Sequence, residues 1–242
     1  MEISAPGIIL SVSPFSEADA IASIFFEDHG VYRGLARGGR SRAHAALWQA
    51  GNLAEARWIA RLSDQLGVFV AEPIHASAAL AMDDPWQNAM LASICAVAEV
   101  ALPEREAHPR IFAGLLHLVA HLTQGVTLLP DIIRWEAGLL QDLGYGMDLT
   151  TCAVDGGTDN LAFVSPRTGR AVSAHAAGIW KEKLLPLPRF LISEEIGEAP
   201  DWAAGLRLTG HFLARDAFGA QHKGVPAARM MLQDKVEKHV LF

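Results

Sequence analysis

The chain has 242 residues, a formal net charge of −7, 51% hydrophobic residues and two cysteines. That length holds one large domain or two modest ones with ample core, and Cys95 and Cys152 alone exclude a disulfide framework and point to a reducing compartment. No apolar run approaches the roughly 18 residues of a membrane span, and the opening residues lack the basic region of a signal peptide, so a cytoplasmic protein without a membrane partner is expected.

Residues 1–76 read as β structure. Gly7–Pro14 is a short apolar strand, Ser16–Asp19 a turn, and Ala20–Glu27 a second strand. Asp28-His29-Gly30 turns into a third strand over 31–37. Gly51-Asn52 opens a long fourth, in which Ala54, Ala56, Trp58, Ala60 and Leu62 alternate with Glu55, Arg57, Ile59 and Arg61. Gly67–Glu72 is the fifth strand, closed by Pro73, and residues 43–49 supply a helical turn between strands three and four. Five short strands at regular intervals predict a small barrel of OB-fold type, a class that binds oligonucleotides on one face.

This block carries a concentration of charge. Residues 30–62 hold Arg33, Arg37, Arg40, Arg42, Arg57 and Arg61 against the single acid Glu55, a local excess of +5 in a chain of −7. Such a contrast suggests an anionic partner for one patch. Arginine suits phosphate because its planar fork donates two parallel hydrogen bonds. Arg33 and Arg37 fall on one strand face, and Gly38-Gly39-Arg40-Ser41-Arg42 can present successive amides as an anion nest. A solvated edge strand and turn is the bland alternative. Trp58 lies opposite Arg57 and Arg61, so it reads as barrel core in preference to a base-stacking platform; Tyr32 is open between the two roles.

After Pro73 the texture becomes helical. Trp86–Val100, Pro109–Gln124, Pro130–Leu143, Ala174–Leu184, Pro200–Phe218 and Pro226–His239 are the predicted helices. Residues 77–148 contain nine acids and three bases, so this block is not expected to face a phosphate backbone. Leu161–Ser165 and Arg170–Ser173 flank the turn Pro166-Arg167-Thr168-Gly169, a β-hairpin set among helices. The expected organisation is α+β and multidomain: an OB-fold barrel over 1–76, and a helical domain over 77–242 with a hairpin insert at about 149–173.

Several pieces in this order resemble the RecO family of bacterial recombination mediators. They are the strand Gly7–Pro14, Ser16-Glu17, the run Gly34-Leu35-Ala36-Arg37-Gly38-Gly39-Arg40-Ser41, the turn Gln49–Asn52, and Arg134-Trp135-Glu136 followed by Leu139-Leu140 and Leu143-Gly144-Tyr145-Gly146. The hairpin Phe163–Pro166 and Gly169–Val172 completes the set. The resemblance implies a non-enzymatic, nucleoid-associated mediator of DNA repair. It would bind single- and double-stranded DNA, anneal complementary strands, and with RecR load RecA onto strands coated by single-stranded DNA-binding protein. It further implies a contact with that protein's acidic, aromatic-ended tail. Of the cations in residues 77–148, Arg134 has the most apolar neighbours and is the candidate, with C-terminal bases such as Arg207 as competitors; Arg105 is flanked by acids and Arg110 opens a helix.

Many members of that family carry two CxxC pairs at the hairpin, the spacing of a structural zinc. Here the pairs read Cys152-Ala153-Val154-Asp155 and Ser173-Ala174-His175-Ala176, a degenerate set from which no zinc cofactor is expected. His117 and His121 share a helix face but lack the glutamate of a zinc-protease motif. No Walker loop follows Gly38-Gly39, Ser41 and Ser165 lack a nucleophile-elbow context, and Cys95 reads as a buried small residue. Two rival readings stand beside the mediator: a metal-dependent hydrolase at these histidines or at Cys152/Asp155, and a protein-interaction module whose arginines meet an acidic protein.

Overall fold

The structure is a computed structural model and describes residues 1–62 and 65–240. By compactness the chain divides into two units, Met1–Val126 and Thr127–Phe242.

Five strands build the core of the first unit: β1 (Glu2–Pro14), β2 (Ala20–Phe26), β3 (Gly30–Ala36), β4 (Leu53–Ile59) and β5 (Gly67–His75). They close into a barrel in the order β1-β2-β3-β5-β4, the OB-fold arrangement, with β3 and β5 as its parallel pair. The alternation in Leu53–Ile59 translates directly: Ala54, Ala56 and Trp58 are buried while Glu55 and Arg57 are exposed. Strands β1 and β2 are apolar on both faces for a different reason. Ile9, Ile24 and Phe26 fill the barrel with Tyr32, Trp48, Trp58 and Phe69. Phe25 points outward instead and meets Phe112 edge to face at 5.3 Å.

Phe112 lies on α3 (Pro109–Ala120), which follows α1 (Ser77–Ala81) and α2 (Pro85–Ala101). The α2 start is encoded locally, since the Asp84 carboxylate caps the amides of Trp86 and Gln87 and proline occupies the first turn. These helices pack with the barrel as one unit. Leu91 of α2 lies where a side chain at Gly51 would have to go, and the Ser11 hydroxyl of β1 donates to Glu99 at 3.1 Å.

The second unit contains α4 (Leu129–Asp142), α5 (Ala199–Phe212) and α6 (Ala227–Val240). It also holds a three-stranded sheet of β6 (Leu161–Val164), β7 (Ala171–Ser173) and β8 (Leu185–Pro186) in the order β7-β6-β8. A buried ion pair joins two of the helices. Arg229 of α6 donates through Nε to Glu136 of α4 at 2.5 Å and through Nη2 at 3.0 Å, and both side chains are 1% exposed. The Thr209 hydroxyl of α5 donates to the same carboxylate at 2.5 Å, and the Leu206 carbonyl accepts from Arg229 at 2.7 Å.

Four expectations are corrected. Strand β1 begins at Glu2, because its first half pairs with β4 from Glu2↔Ile59 to Ile8↔Leu53. Pro73 lies within β5, beside a register shift; β3 pairs with β5 only as far as Phe69, so the proline's missing N–H falls on an unpaired edge. Strand β4 stops at Ile59, which leaves Arg61 and Leu62 outside it. Residues 174–184 do not form an α-helix: they contain only a 3₁₀ turn over Gly178–Lys183, opened by Gly178 at φ 47°, and β8 then pairs with β6. Among the described residues no single helix is long and apolar enough to cross a membrane.

Candidate nucleic-acid interface

All six barrel arginines, Arg33, Arg37, Arg40, Arg42, Arg57 and Arg61, are exposed, but their surroundings differ. Arg33 projects from β3, opposite Ser23 of β2. Its carbonyl accepts from the Trp58 indole at 2.9 Å, which ties β3 to β4 where β5 has not yet begun. Gly67 opens β5 against the flat side of that indole, a place where any Cβ would collide with the ring. Trp58 is therefore core, as is Tyr32, which meets it edge to face at 4.9 Å. Neither ring offers a face to a base.

Arg37, Arg40 and Arg42 belong to the turns after β3, not to the strand. The segment is stapled to the β1–β2 turn: Gly38 N–H donates to the Asp19 carboxylate at 2.8 Å, and Arg40 N–H to the Ala18 carbonyl at 2.9 Å. Gly39 N–H bonds the Ala36 carbonyl, and Ser41 N–H bonds that of Gly38. The expected anion nest is thus closed by the chain itself, since four successive amides already have acceptors. Arg40 is also drawn in, donating to the Ser16 carbonyl at 2.6 Å.

On β4, Arg57 is paired with Glu2 of β1 at 2.8 Å. Glu55 is its neighbour two residues along and lies opposite Glu72 of β5, so this face mixes both signs. Arg57 is the weakest member of the predicted set. Arg33, Arg37 and Arg42 make no salt bridge among the described residues, and they form the unneutralised part of the patch.

Sequence reading missed a seventh cation. Arg105 sits in the loop between α2 and α3 in the left-handed region (φ 64°), and its N–H donates to the Val31 carbonyl at 2.9 Å. Its guanidinium lies 5.4 Å from the Tyr32 ring centre and 5.5 Å from that of Trp58, so it packs on the barrel core as a cation–π partner. Its acidic neighbours in sequence gave no sign of this.

Two family models match the chain. "Recombination protein O N terminal" matches residues 1–76 and "Recombination protein O C terminal" matches residues 82–224. The chain belongs to the RecO family. Curated relatives named DNA repair protein RecO include those of Granulibacter bethesdensis (55% identical, covering 98% of this chain and 96% of the relative), Gluconacetobacter diazotrophicus (53%, 98% and 96%) and Acidiphilium cryptum (51%, 99% and 97%).

The RecO hairpin region of this chain does not fit a zinc ion. Cys152, Asp155 and Ser173 stand at three of the four CxxC positions, and they bond to one another. Ser173 N–H donates to Cys152 Sγ at 3.4 Å, and its hydroxyl to Asp155 at 3.5 Å. His175 Nε2 lies 2.7 Å from the same carboxylate. Desolvation pushes the Cys152 thiol up, but hydrogen bonds from Ser173 and the backbone of Asp155 and Val154 outweigh it and leave the thiol below its ordinary value. The Cys152 thiol, the Gly157 amide and His175 hold the Asp155 carboxyl below the usual range. Hydrogen bonds thus cross-link the hairpin at the positions where thiolates would meet a metal.

His117 and His121 stack with ring centres 4.1 Å apart. Among the described residues no group of three His, Cys, Asp or Glu side chains is placed to hold a metal. Arg134 is engaged within its own unit: it bonds Asp131 at 2.9 Å and the carbonyls of Phe190 at 3.0 Å and Glu195 at 2.7 Å. It orders residues 189–195 and does not stand free as a cation.

Proposed function

We propose that this RecO chain is a non-enzymatic DNA-binding mediator acting in DNA repair and recombination. The observation that carries this reading is the unneutralised trio Arg33, Arg37 and Arg42 on an OB barrel in a chain of net charge −7. Their guanidiniums would contact phosphates of single and double strands without reading bases, because backbone contacts position and do not specify. Holding two strands on such a surface screens their repulsion and favours annealing. Full-length similarity to relatives named DNA repair protein RecO supports the role. RecR and the acidic tail of single-stranded DNA-binding protein are the proposed partners, with loading of RecA onto coated strands as the outcome. The tail contact is proposed for the second unit, where Arg134 acts by ordering the 189–195 segment.

The test is titration of a fluorescent oligonucleotide at several salt concentrations, with an annealing assay in parallel. Replacing Arg33, Arg37 and Arg42 together by alanine should lower the single-strand salt slope by about 2, given roughly 0.7 per lost phosphate contact, and slow annealing. An unchanged slope and annealing rate in the folded variant would remove the barrel patch as the DNA site.

A further inference from the structure

Strand β3 has an edge that the other barrel strands leave uncovered. Its pairing with β5 runs only from Gly34↔Gly67 to Ala36↔Phe69, so β5 does not reach the edge of residues 30–33 that faces away from β2. The loop between α2 and α3 fills this place. Glu104 bridges to Val31 in the parallel sense, and the Arg105 N–H donates to the Val31 carbonyl at 2.9 Å. Gly30, at φ 77°, leaves room for the Glu106 carbonyl, with which any Cβ would collide. A segment outside residues 1–76 thus lends part of the barrel wall.

Arg105 stands out within that segment. It holds the left-handed region at φ 64°, which residues other than glycine seldom adopt and which persists where the surroundings over-determine it. Its guanidinium lies against Tyr32 and Trp58, and the Trp58 indole donates to the Arg33 carbonyl, so one ring separates this cation from the backbone that presents Arg33. Arg105 is nevertheless exposed and makes no salt bridge among the described residues. The rings attract its charge but supply no oxygen to its five N–H donors. The fork is therefore ordered while its donors stay available, which reduces the freedom lost when it takes up a phosphate. An aliphatic side chain would cover the two rings equally well without holding a charge there. The flanking acids Glu104 and Glu106 are exposed, and solvent screens them.

We propose that Arg105 is a further phosphate contact of the DNA surface, supplied to the barrel by the α2–α3 loop and held ready by Tyr32 and Trp58. This rests on the reading that the barrel binds DNA, and it extends that surface from Arg33 onto a segment outside the five strands.

The experiment is titration of the full chain with fluorescent oligo-dT at several salt concentrations, with a thermal melt of each variant to verify folding. Arg105→Gly removes the side chain and relieves the left-handed backbone; Arg105→Gln keeps a long polar side chain without the charge. Both should lower the single-strand salt slope by about 0.7 and weaken binding about fourfold at 0.15 M salt, the effect of one phosphate contact. Arg105→Lys should keep the slope. Added to the triple replacement of Arg33, Arg37 and Arg42, Arg105→Gly should lower the slope by about 0.7 more. An unchanged slope in both Arg105→Gly and Arg105→Gln, with the triple replacement still effective, would overturn the role of Arg105 and leave the barrel patch standing. A slope unchanged in every variant would overturn both. Weaker binding at an unchanged slope would make Arg105 a structural closure of the barrel and refute the proposal.

Discussion

Replacing Glu136 by glutamine should destabilise the second unit severely, although the two side chains have nearly the same shape. The substitution creates no cavity, so its effect is electrostatic. Arg229 is 1% exposed and loses its compensating charge, while the Thr209 hydroxyl loses a charged acceptor held at 2.5 Å. The guanidinium keeps neutral partners: the Leu206 carbonyl at 2.7 Å, the Thr209 hydroxyl at 3.3 Å and Gln233 at 3.3 Å. Removing one member of a buried pair costs about 3–5 kcal/mol. At about 2–4 °C per kcal/mol, that lowers Tm by about 6–20 °C. Calorimetry on the full chain measures it, with oligonucleotide binding as a check that the barrel is intact. The double variant Glu136→Met/Arg229→Met should recover most of the loss, because both desolvation costs vanish together. A Glu136→Gln melt within about 2 °C of the original, or a double variant no better than the two singles, would refute the idea that this pair clamps α4 to α6.

Three further outcomes are expected. Arg57→Ala should change the DNA salt slope less than Arg37→Ala does, because Glu2 already neutralises Arg57 in the free protein; oligonucleotide titration at two salt concentrations compares them. A chelator should leave Tm unchanged and purified protein should carry substoichiometric zinc, since the hairpin donors bond to one another; a chelator-induced loss of structure would reverse that account. The Asp155 carboxyl lies below its ordinary range in the fold, so its contribution to stability is present above the usual aspartate value of about 3.9 and is lost as pH falls through the folded value. The stability gap between the original chain and Asp155→Asn should therefore hold at neutral pH and narrow as pH falls below about 3.9, as followed by thermal melts from pH 7 to pH 3.

What the sequence determined by itself was local. Alternation over Leu53–Ile59 assigned Trp58 to the barrel core, the expected helix Trp86–Val100 lies within α2, and Pro166–Gly169 marked a hairpin turn. Each is set by the backbone period or by a side chain bonding within a few residues. The order of motifs from Gly7 to Val172 also placed the chain in its family. Tertiary structure decided which charges remain available. Glu2 reaches Arg57 only because β1 pairs with β4, Asp19 fills the glycine turn only because two loops meet, and Arg134 finds its carbonyls in a segment about 60 residues away. The Glu136–Arg229 pair spans 93 positions and has no periodic signature. Residues 174–184 show the limit most plainly: their composition favours a helix, but Gly178 at positive φ and the pairing of Leu185 with Val164 turn them into one wall of a cavity. A linear pattern records how each residue treats its near neighbours. Which distant side chains share a low-dielectric interior, and so cancel or keep their charge, follows only from closure of the barrel and packing of the helices.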